Sequence, residues 1–257
     1  MKKIKKFFKD FADSFKPKIS WLYIILFDLL FYGITVLLVK GVGSYLAGKS
    51  NAINLPVIED LTALTAEQVQ PIASQVQSLV ISTILLSILI FVVILGTWSL
   101  SRGLIYSILL KKEFNKKSFK KFILLNLFLF VVITIILTFF TAIGLILQEL
   151  VLSYRYVFYL VFLVIAYYLS INYIIFTKHN KVFESIGKAL EFGTKNMPKL
   201  LIPCLLILIV SLILTNIQPF LGIPLAIAPF VSLIVFVIFM AWARIYFVHK
   251  VEEIKES

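Results

Sequence analysis

The sequence of 257 residues is 61% hydrophobic and 15% charged, with a mean hydropathy of +1.02 and a net charge of +12. Soluble domains carry roughly 45–50% apolar and about 25% charged residues, so one soluble core could not bury this apolar excess. The composition excludes a soluble enzyme, a nucleic-acid-binding protein, a disordered chain and a disulfide scaffold, and it predicts a polytopic membrane protein.

The N-terminal arm, residues 1–19, combines lysines with apolar residues at spacings of three and four, which share one face of a helix. A short basic amphipathic helix of this kind is expected to lie in the membrane interface, where lysines contact anionic lipids. The alternative is an ordinary basic flank. The lysines predicted to contact anionic lipid are Lys2, Lys3, Lys5, Lys6 and Lys9.

Six apolar segments each approach or exceed the length of about 20 residues that a membrane-spanning helix requires. They are continuously apolar, which favours helices over the alternating strands of a membrane barrel. The predicted fold class is therefore all-α, a polytopic membrane helical bundle that forms a single domain over residues 1–257. The predicted transmembrane helices are residues 20–40, 79–110, 122–147, 157–177, 200–217 and 224–248. Residues 41–78 are predicted to form an outer loop whose later part is a helix leading into the second span. This helix could cap an outward cavity, or it could lie in the membrane interface before the span.

Lysine and arginine are distributed unevenly between the segments that flank the spans. The N-terminal arm, the 2–3 loop, the 4–5 loop and the C-terminal tail hold seven, six, five and two of them, 20 in all. The three segments in between hold two, one and none. Because basic loops stay on the cytoplasmic side, this pattern predicts a multi-pass cell-membrane protein with both termini in the cytoplasm.

The 4–5 loop contains apolar residues at spacings of three and four from Val182 to Leu190, which predicts a short amphipathic helix. Gly193 follows this pattern and acts as a signal for the end of that helix. The loop is thus expected to hold a separate helix on the cytoplasmic surface, before the fifth span.

An ionisable or strongly polar side chain inside a span is a candidate for function, since its burial in lipid is costly. At about 1.5 Å per residue from the nearest flanking lysine, Asp28 lies about 15 Å deep, Arg102 about 14 Å and Arg244 about 9 Å. We therefore expect Asp28 and Arg102 to be paired. The five candidates for a polar binding cluster in the cytoplasmic half are Asp28, Arg102, Asn126, Asn172 and Arg244.

Two interpretations of this cluster remain open. It could line a cavity that binds an anionic headgroup or a small solute. It could instead join helices, with Asp28 and Arg102 as a neutralised pair and Arg244 extending to the inner interface. Two spans carry stripes of residues that share a helix face. The stripe on the third span is Asn126, Phe130, Thr134, Thr138 and Thr141, and the stripe on the fourth is Ala166, Ser170, Tyr173 and Thr177.

The sequence lacks a metal-ligand cluster in the spans, a phosphate-binding loop and a serine-hydrolase elbow. We therefore expect no enzymatic activity, no metal and no cofactor. The predicted function is that of a binding, transport-accessory or scaffolding component whose known partner is the lipid bilayer. The alternatives are the permease subunit of a transporter driven by a separate ATPase, and a lipid-modifying membrane enzyme.

Two family resemblances bear on these alternatives. Six spans, basic inner loops and the final-span segment Ala241–Tyr246 resemble a broad group of uncharacterised prokaryotic membrane proteins, similar to the membrane domain of some glycerophosphodiester phosphodiesterases. This resemblance implies a multi-span membrane domain without catalytic residues of its own. Ala189, Gly193 and Pro203 also resemble the ATPase-docking loop of ABC-importer permeases, but Gly187 stands where that loop has an acidic residue.

Overall fold

The computed structural model describes residue 11 and residues 19–53, 66–146, 151–217 and 227–256. Six α-helices, each long and apolar enough to cross a membrane, account for nearly all of these residues. The predicted all-α bundle of six transmembrane helices is therefore confirmed. The helices are α1 (Ile19–Asn51), α2 (Ala66–Leu109), α3 (Lys116–Ile146), α4 (Val151–His179), α5 (Val182–Ile217) and α6 (Ala228–Glu256).

Several helices extend well beyond the apolar spans that predicted them. Much of the predicted outer loop is helical, since α1 continues to Asn51 and α2 begins at Ala66. The helix expected to lead into the second span is thus the first part of α2, whose 44 residues measure about 66 Å. Pro71 lies in the second turn of α2.

The chain divides into two compact units. The first comprises Met1–Leu29 and Ser99–Ser257, and the second comprises Leu30–Trp98. In the second unit, Lys49 Nζ donates to Ser78 O at 3.1 Å and to Ser82 Oγ at 2.5 Å. These bonds join α1 to α2. The same unit exposes apolar side chains on the first half of α2, among them Val80, Ile81, Ile84, Leu85 and Ile88.

The buried core of the first unit lies toward its basic end. Its largest cluster is formed by side chains from α2 to α6, including Phe122, Ile174, Ala189 and Val251, which are all almost fully buried. Farther along the helices the apolar side chains are exposed, as expected for helices that face lipid. The tightest helix packing therefore surrounds the region where the sequence places its polar candidates.

The basic end is built from two capped turns. Lys111 follows α2 with a φ of 52°, and the bonds from Lys111 N to Ile108 O and from Lys112 N to Ser107 O form a Schellman cap. Asn115 Oδ1 then accepts a bond from Ser118 N at 2.9 Å and so caps the start of α3.

The turn between α4 and α5 is closed in a similar way by Asn180, whose φ is 54°. The backbone carbonyl of Asn180 accepts a bond from Lys121 Nζ at 2.7 Å, and its side-chain Nδ2 donates to Ser118 Oγ at 3.2 Å. Lys178 and Glu252 form an ion pair between α4 and α6. The 2–3 turn, the 4–5 turn and the end of α6 therefore meet at one end of the helix bundle.

Candidate functional site: a buried charge cluster and its cavity

Asp28 lies on α1 between two arginines from distant parts of the sequence. Asp28 Oδ1 is 3.0 Å from Arg102 Nη1 on α2, and Asp28 Oδ2 accepts a hydrogen bond from Arg244 Nη1 on α6. The exposed fractions of the three side chains are 0%, 2% and 8%. One carboxylate thus holds two guanidinium groups, and these three residues together carry one excess positive charge.

The ion pair between Asp28 and Arg102 confirms the prediction that the two residues lie close together. The expectation that Arg244 extends to the inner interface is wrong, because Arg244 is buried and bonded to Asp28. The cause is the position of the boundary. Lys250 was used as the surface marker, yet it is itself buried and α6 continues to Glu256.

Asn126 belongs to a second polar group, which joins α2, α3 and α4. Its Nδ2 donates to Ser99 Oγ at 2.9 Å, and its Oδ1 accepts a bond from the Tyr173 hydroxyl at 2.6 Å. The Tyr173 ring lies 5.3 Å from the ring of Tyr106 on α2. Asn126 therefore acts as a link between helices, and all of the side chains in its hydrogen bonds are buried.

Asn172 is also buried, but within the described residues no hydrogen bond joins it to Asn126 or to the two arginines. Its Oδ1 has no hydrogen-bond partner within the described part of the chain. The sequence-predicted cluster of five residues thus divides into an ionic group of three, Asn126 with its own partners, and Asn172 by itself.

A cavity of about 280 Å³ adjoins the ionic group and lies between α2, α4, α5 and α6. Arg244 forms part of its wall, so the charge cluster reaches the cavity through this side chain. Hydroxyl groups of Tyr106, Ser170 and Ser211 also line it. The rest of the lining is mainly aliphatic and aromatic, including Leu163, Ile207, Leu208, Phe239, Met240 and Phe247.

The polar stripe on the fourth span predicted part of this site. Ala166 and Ser170 line the cavity, and Tyr173 bonds to Asn126. On the third span only the start of the predicted stripe packs between helices, since Asn126 is buried whereas Thr134, Thr138 and Thr141 are exposed. Thr141 Oγ1 instead bonds to the carbonyl of Leu137 in its own helix. No pattern in the sequence identified Ser99 or Tyr106 as part of this site.

Gly193 does not end a helix, since α5 runs through it from Val182 to Ile217. A Cβ on Gly193 would lie 2.7 Å from Cε1 of Tyr168, so the ring of Tyr168 occupies the space a side chain would need. The Gly193 carbonyl also accepts a bond from the Tyr167 hydroxyl at 2.8 Å. With Ala189 buried as well, these small residues are explained by packing inside the chain.

The five lysines predicted to contact anionic lipid lie outside the described residues. Phe11 is described, and its ring lies edge-on to Trp242 at 5.8 Å and to Tyr246 at 5.7 Å. At least this residue of the predicted interfacial helix therefore packs against α6.

Comparison with known proteins adds no family to these observations. No protein-family model matches the sequence, and no similar chain was found among curated proteins or solved structures. Within the described ranges, no group of three histidine, cysteine, aspartate or glutamate side chains is arranged to hold a metal ion. Six helices that are long and apolar enough to cross a membrane are the feature of a multi-pass integral membrane protein.

Proposed function

We propose that this chain is a non-enzymatic membrane protein that binds an anionic amphiphile in the cavity beside Arg244. The acidic headgroup would contact Arg244, and the acyl chain would lie along the apolar wall. The observation that carries this proposal is the position of Arg244, which is almost fully buried and forms part of the wall of this mainly apolar cavity.

Arg244 has donors to spare for such a ligand. Its Nη1 donates to Asp28, whereas a guanidinium group has five N–H donors in all. Arg244 lines the cavity, so donors that Asp28 does not use can contact a ligand there. Charge-assisted hydrogen bonds from these donors to a buried anion are the strong ones in such an environment.

The cavity lining fits one polar headgroup and part of an acyl chain. Ligand pockets are typically about 300–1,000 Å³, mainly apolar, with a few polar groups that fix orientation. The volume of about 280 Å³ lies at the lower limit, which favours a headgroup with a few methylene groups over a whole diacyl lipid. No catalytic step is proposed, because both oxygens of Asp28 are committed to arginines.

We further propose that the protein resides in the cell membrane with both termini in the cytoplasm. The charge asymmetry between alternate segments supports this orientation. The contacts of Lys121 with Asn180 and of Lys178 with Glu252 also support it, because they bring the basic segments to a common end.

Oleate and oleyl alcohol provide a matched pair of probes, since they share a chain and differ in charge. Purified protein in a non-ionic detergent is titrated with each probe, and affinity is taken from the rise in Tm. A charge-assisted contact of about 1.5–3 kcal/mol predicts a roughly 10- to 100-fold preference for oleate.

Two variants separate the cavity from the general charge of the cluster. Arg244→Gln should abolish the preference for oleate. Arg102→Gln removes the same charge from the same cluster, but Arg102 does not line the cavity, so most of the preference should remain. Equal affinity of the wild-type protein for both probes, or an equal loss in the two variants, would contradict the proposal.

A further inference from the structure

A second cavity, of about 560 Å³, lies at the basic end of the bundle. We call it the inner basic cavity. It is formed by the end of α4, the first half of α5 and the end of α6, and it is separate in lining from the cavity beside Arg244. The ionisable residues that line it are His179, Lys188, Glu191, Lys195, Lys199 and Lys255.

The lysines of α5 reach this cavity because of their spacing. Lys188, Lys195 and Lys199 are separated by seven and four residues, which places them on one face of the helix. Phe192 and Asn196 lie on the same face and also line the cavity. The long first part of α5, which continues without a break into the span, thus presents a row of cations along one wall.

The α6 side of the cavity adds a further cation. Lys255 lies in the last turn of α6, and its Nζ is 5.6 Å from the centre of the Phe192 ring on α5. The ring holds this ammonium group next to the lysines of α5 through a cation–π contact. The basic residues therefore come from two helices that are far apart in sequence.

Carboxylates compensate for only part of this charge. Glu184 pairs with Lys188 at 2.8 Å, and Glu191 is the acidic residue among those that line the cavity. Within the described ranges, no carboxylate lies within ion-pair distance of Lys195, Lys199 or Lys255. The lining holds four lysines and one glutamate, which leaves three excess positive charges on one concave surface, and Glu184 outside the lining is shared between Lys188 and Lys181.

We propose that the inner basic cavity binds a phosphate group. Lysine ammonium groups are compact charges with three donors each, and phosphate offers several acceptor oxygens that can bridge them. The position at the basic end of the helices permits two sources of the same chemistry. The phosphate could belong to the headgroup of an anionic lipid or to a soluble phosphorylated compound.

The test uses a charge-matched pair of double variants. Lys195→Gln with Lys199→Gln removes two charges from the cavity, and Lys116→Gln with Lys117→Gln removes two from exposed positions at the start of α3, outside its lining. All four side chains are exposed, so these changes leave the buried core intact. Lys195→Gln alone serves as a milder second variant.

Two probes distinguish the sources of phosphate. The first is phosphatidic acid in nanodiscs, compared with phosphatidylcholine nanodiscs, and the second is inorganic phosphate added to protein in detergent. Binding is measured as the rise in Tm at low salt. At about 1 kcal/mol for each lysine near an anionic group, the cavity double variant should bind roughly 30-fold more weakly than wild type.

The α3 double variant should keep wild-type affinity for whichever probe binds. Binding of phosphatidic acid alone assigns the site to a lipid headgroup, and binding of inorganic phosphate alone assigns it to a soluble compound. The proposal is overturned if neither probe stabilises the wild-type protein, or if the two double variants lose affinity equally. None of these results depends on oleate binding beside Arg244.

Discussion

Replacement of Asp28 by asparagine tests the charge cluster most directly. Asp28→Asn keeps the size of the side chain but leaves Arg102 and Arg244 buried with no carboxylate between them. Across the 3.0 Å from Asp28 to Arg102, the attraction is about 5 kcal/mol at an effective dielectric constant of about 20. Part of this energy offsets the cost of removing the charges from water.

Loss of one partner from a buried ion pair costs about 3–5 kcal/mol in general. For a chain of this size, 1 kcal/mol corresponds to about 2–4 °C in Tm, so Asp28→Asn should lower Tm by roughly 6–20 °C. Tm is measured by tryptophan fluorescence in detergent at a fixed scan rate. Glu113→Gln is the control, because Glu113 is exposed and its replacement should change stability by less than about 0.5 kcal/mol.

The rank order of the variants in thermal stability tests the charge cluster more sharply than the size of any single decrease in Tm. Arg102→Gln leaves a balanced pair of Asp28 and Arg244, so its loss should be smaller than that of Asp28→Asn. The triple variant, with both arginines also changed to glutamine, carries no buried charge in the cluster and should be more stable than Asp28→Asn alone. A triple variant less stable than Asp28→Asn would refute this account of the cluster.

Two further predictions concern packing and topology. Gly193→Ala should lower the free energy of unfolding by about 1–3 kcal/mol, because its Cβ would meet the Tyr168 ring. In a chain that already carries Tyr168→Ala, the same Gly193→Ala change should cost much less stability. Additive losses of the two changes in a thermal melt would exclude this contact. In a Cys204→Ser background, Ser50→Cys should react with an impermeant maleimide in intact cells, and Glu113→Cys should react only after permeabilisation. The reverse labelling pattern would contradict the assigned orientation.

The sequence predicted the spans well because the apolar content of a segment directly reflects its transfer into lipid. It predicted helix ends less well, because a helix continues wherever its backbone bonds are made, in lipid or in water. For this reason α1 reaches Asn51 and α5 begins at Val182, beyond the apolar limits of their spans. Gly193 was misjudged for a related reason, since its small size serves the approach of Tyr168.

The charge cluster shows what depth counting can and cannot predict. Asp28 and Arg102 were paired correctly, and the marker used for Arg102, Lys111, is indeed exposed just after the end of α2. Arg244 lies eleven residues before Lys255, or about 16 Å along the helix, which matches the estimated depth of Asp28. The partners of Asn126 could not be predicted in this way, because depth does not specify which helices are neighbours.

The length of α2 places a demand on the surrounding bilayer. From the Schellman cap at Lys111 back to Leu79, the apolar part of the helix measures about 48 Å along its axis, whereas a typical hydrocarbon layer is about 30 Å thick. A tilt of about 50° would be needed to immerse it, beyond the range of about 0–40° that membrane helices adopt. The exposed side chains from Val80 to Ile88 would otherwise stand in water. Hydrophobic mismatch of this size favours a thicker bilayer around α2, so we expect the stability of the protein in reconstituted bilayers to increase with acyl-chain length.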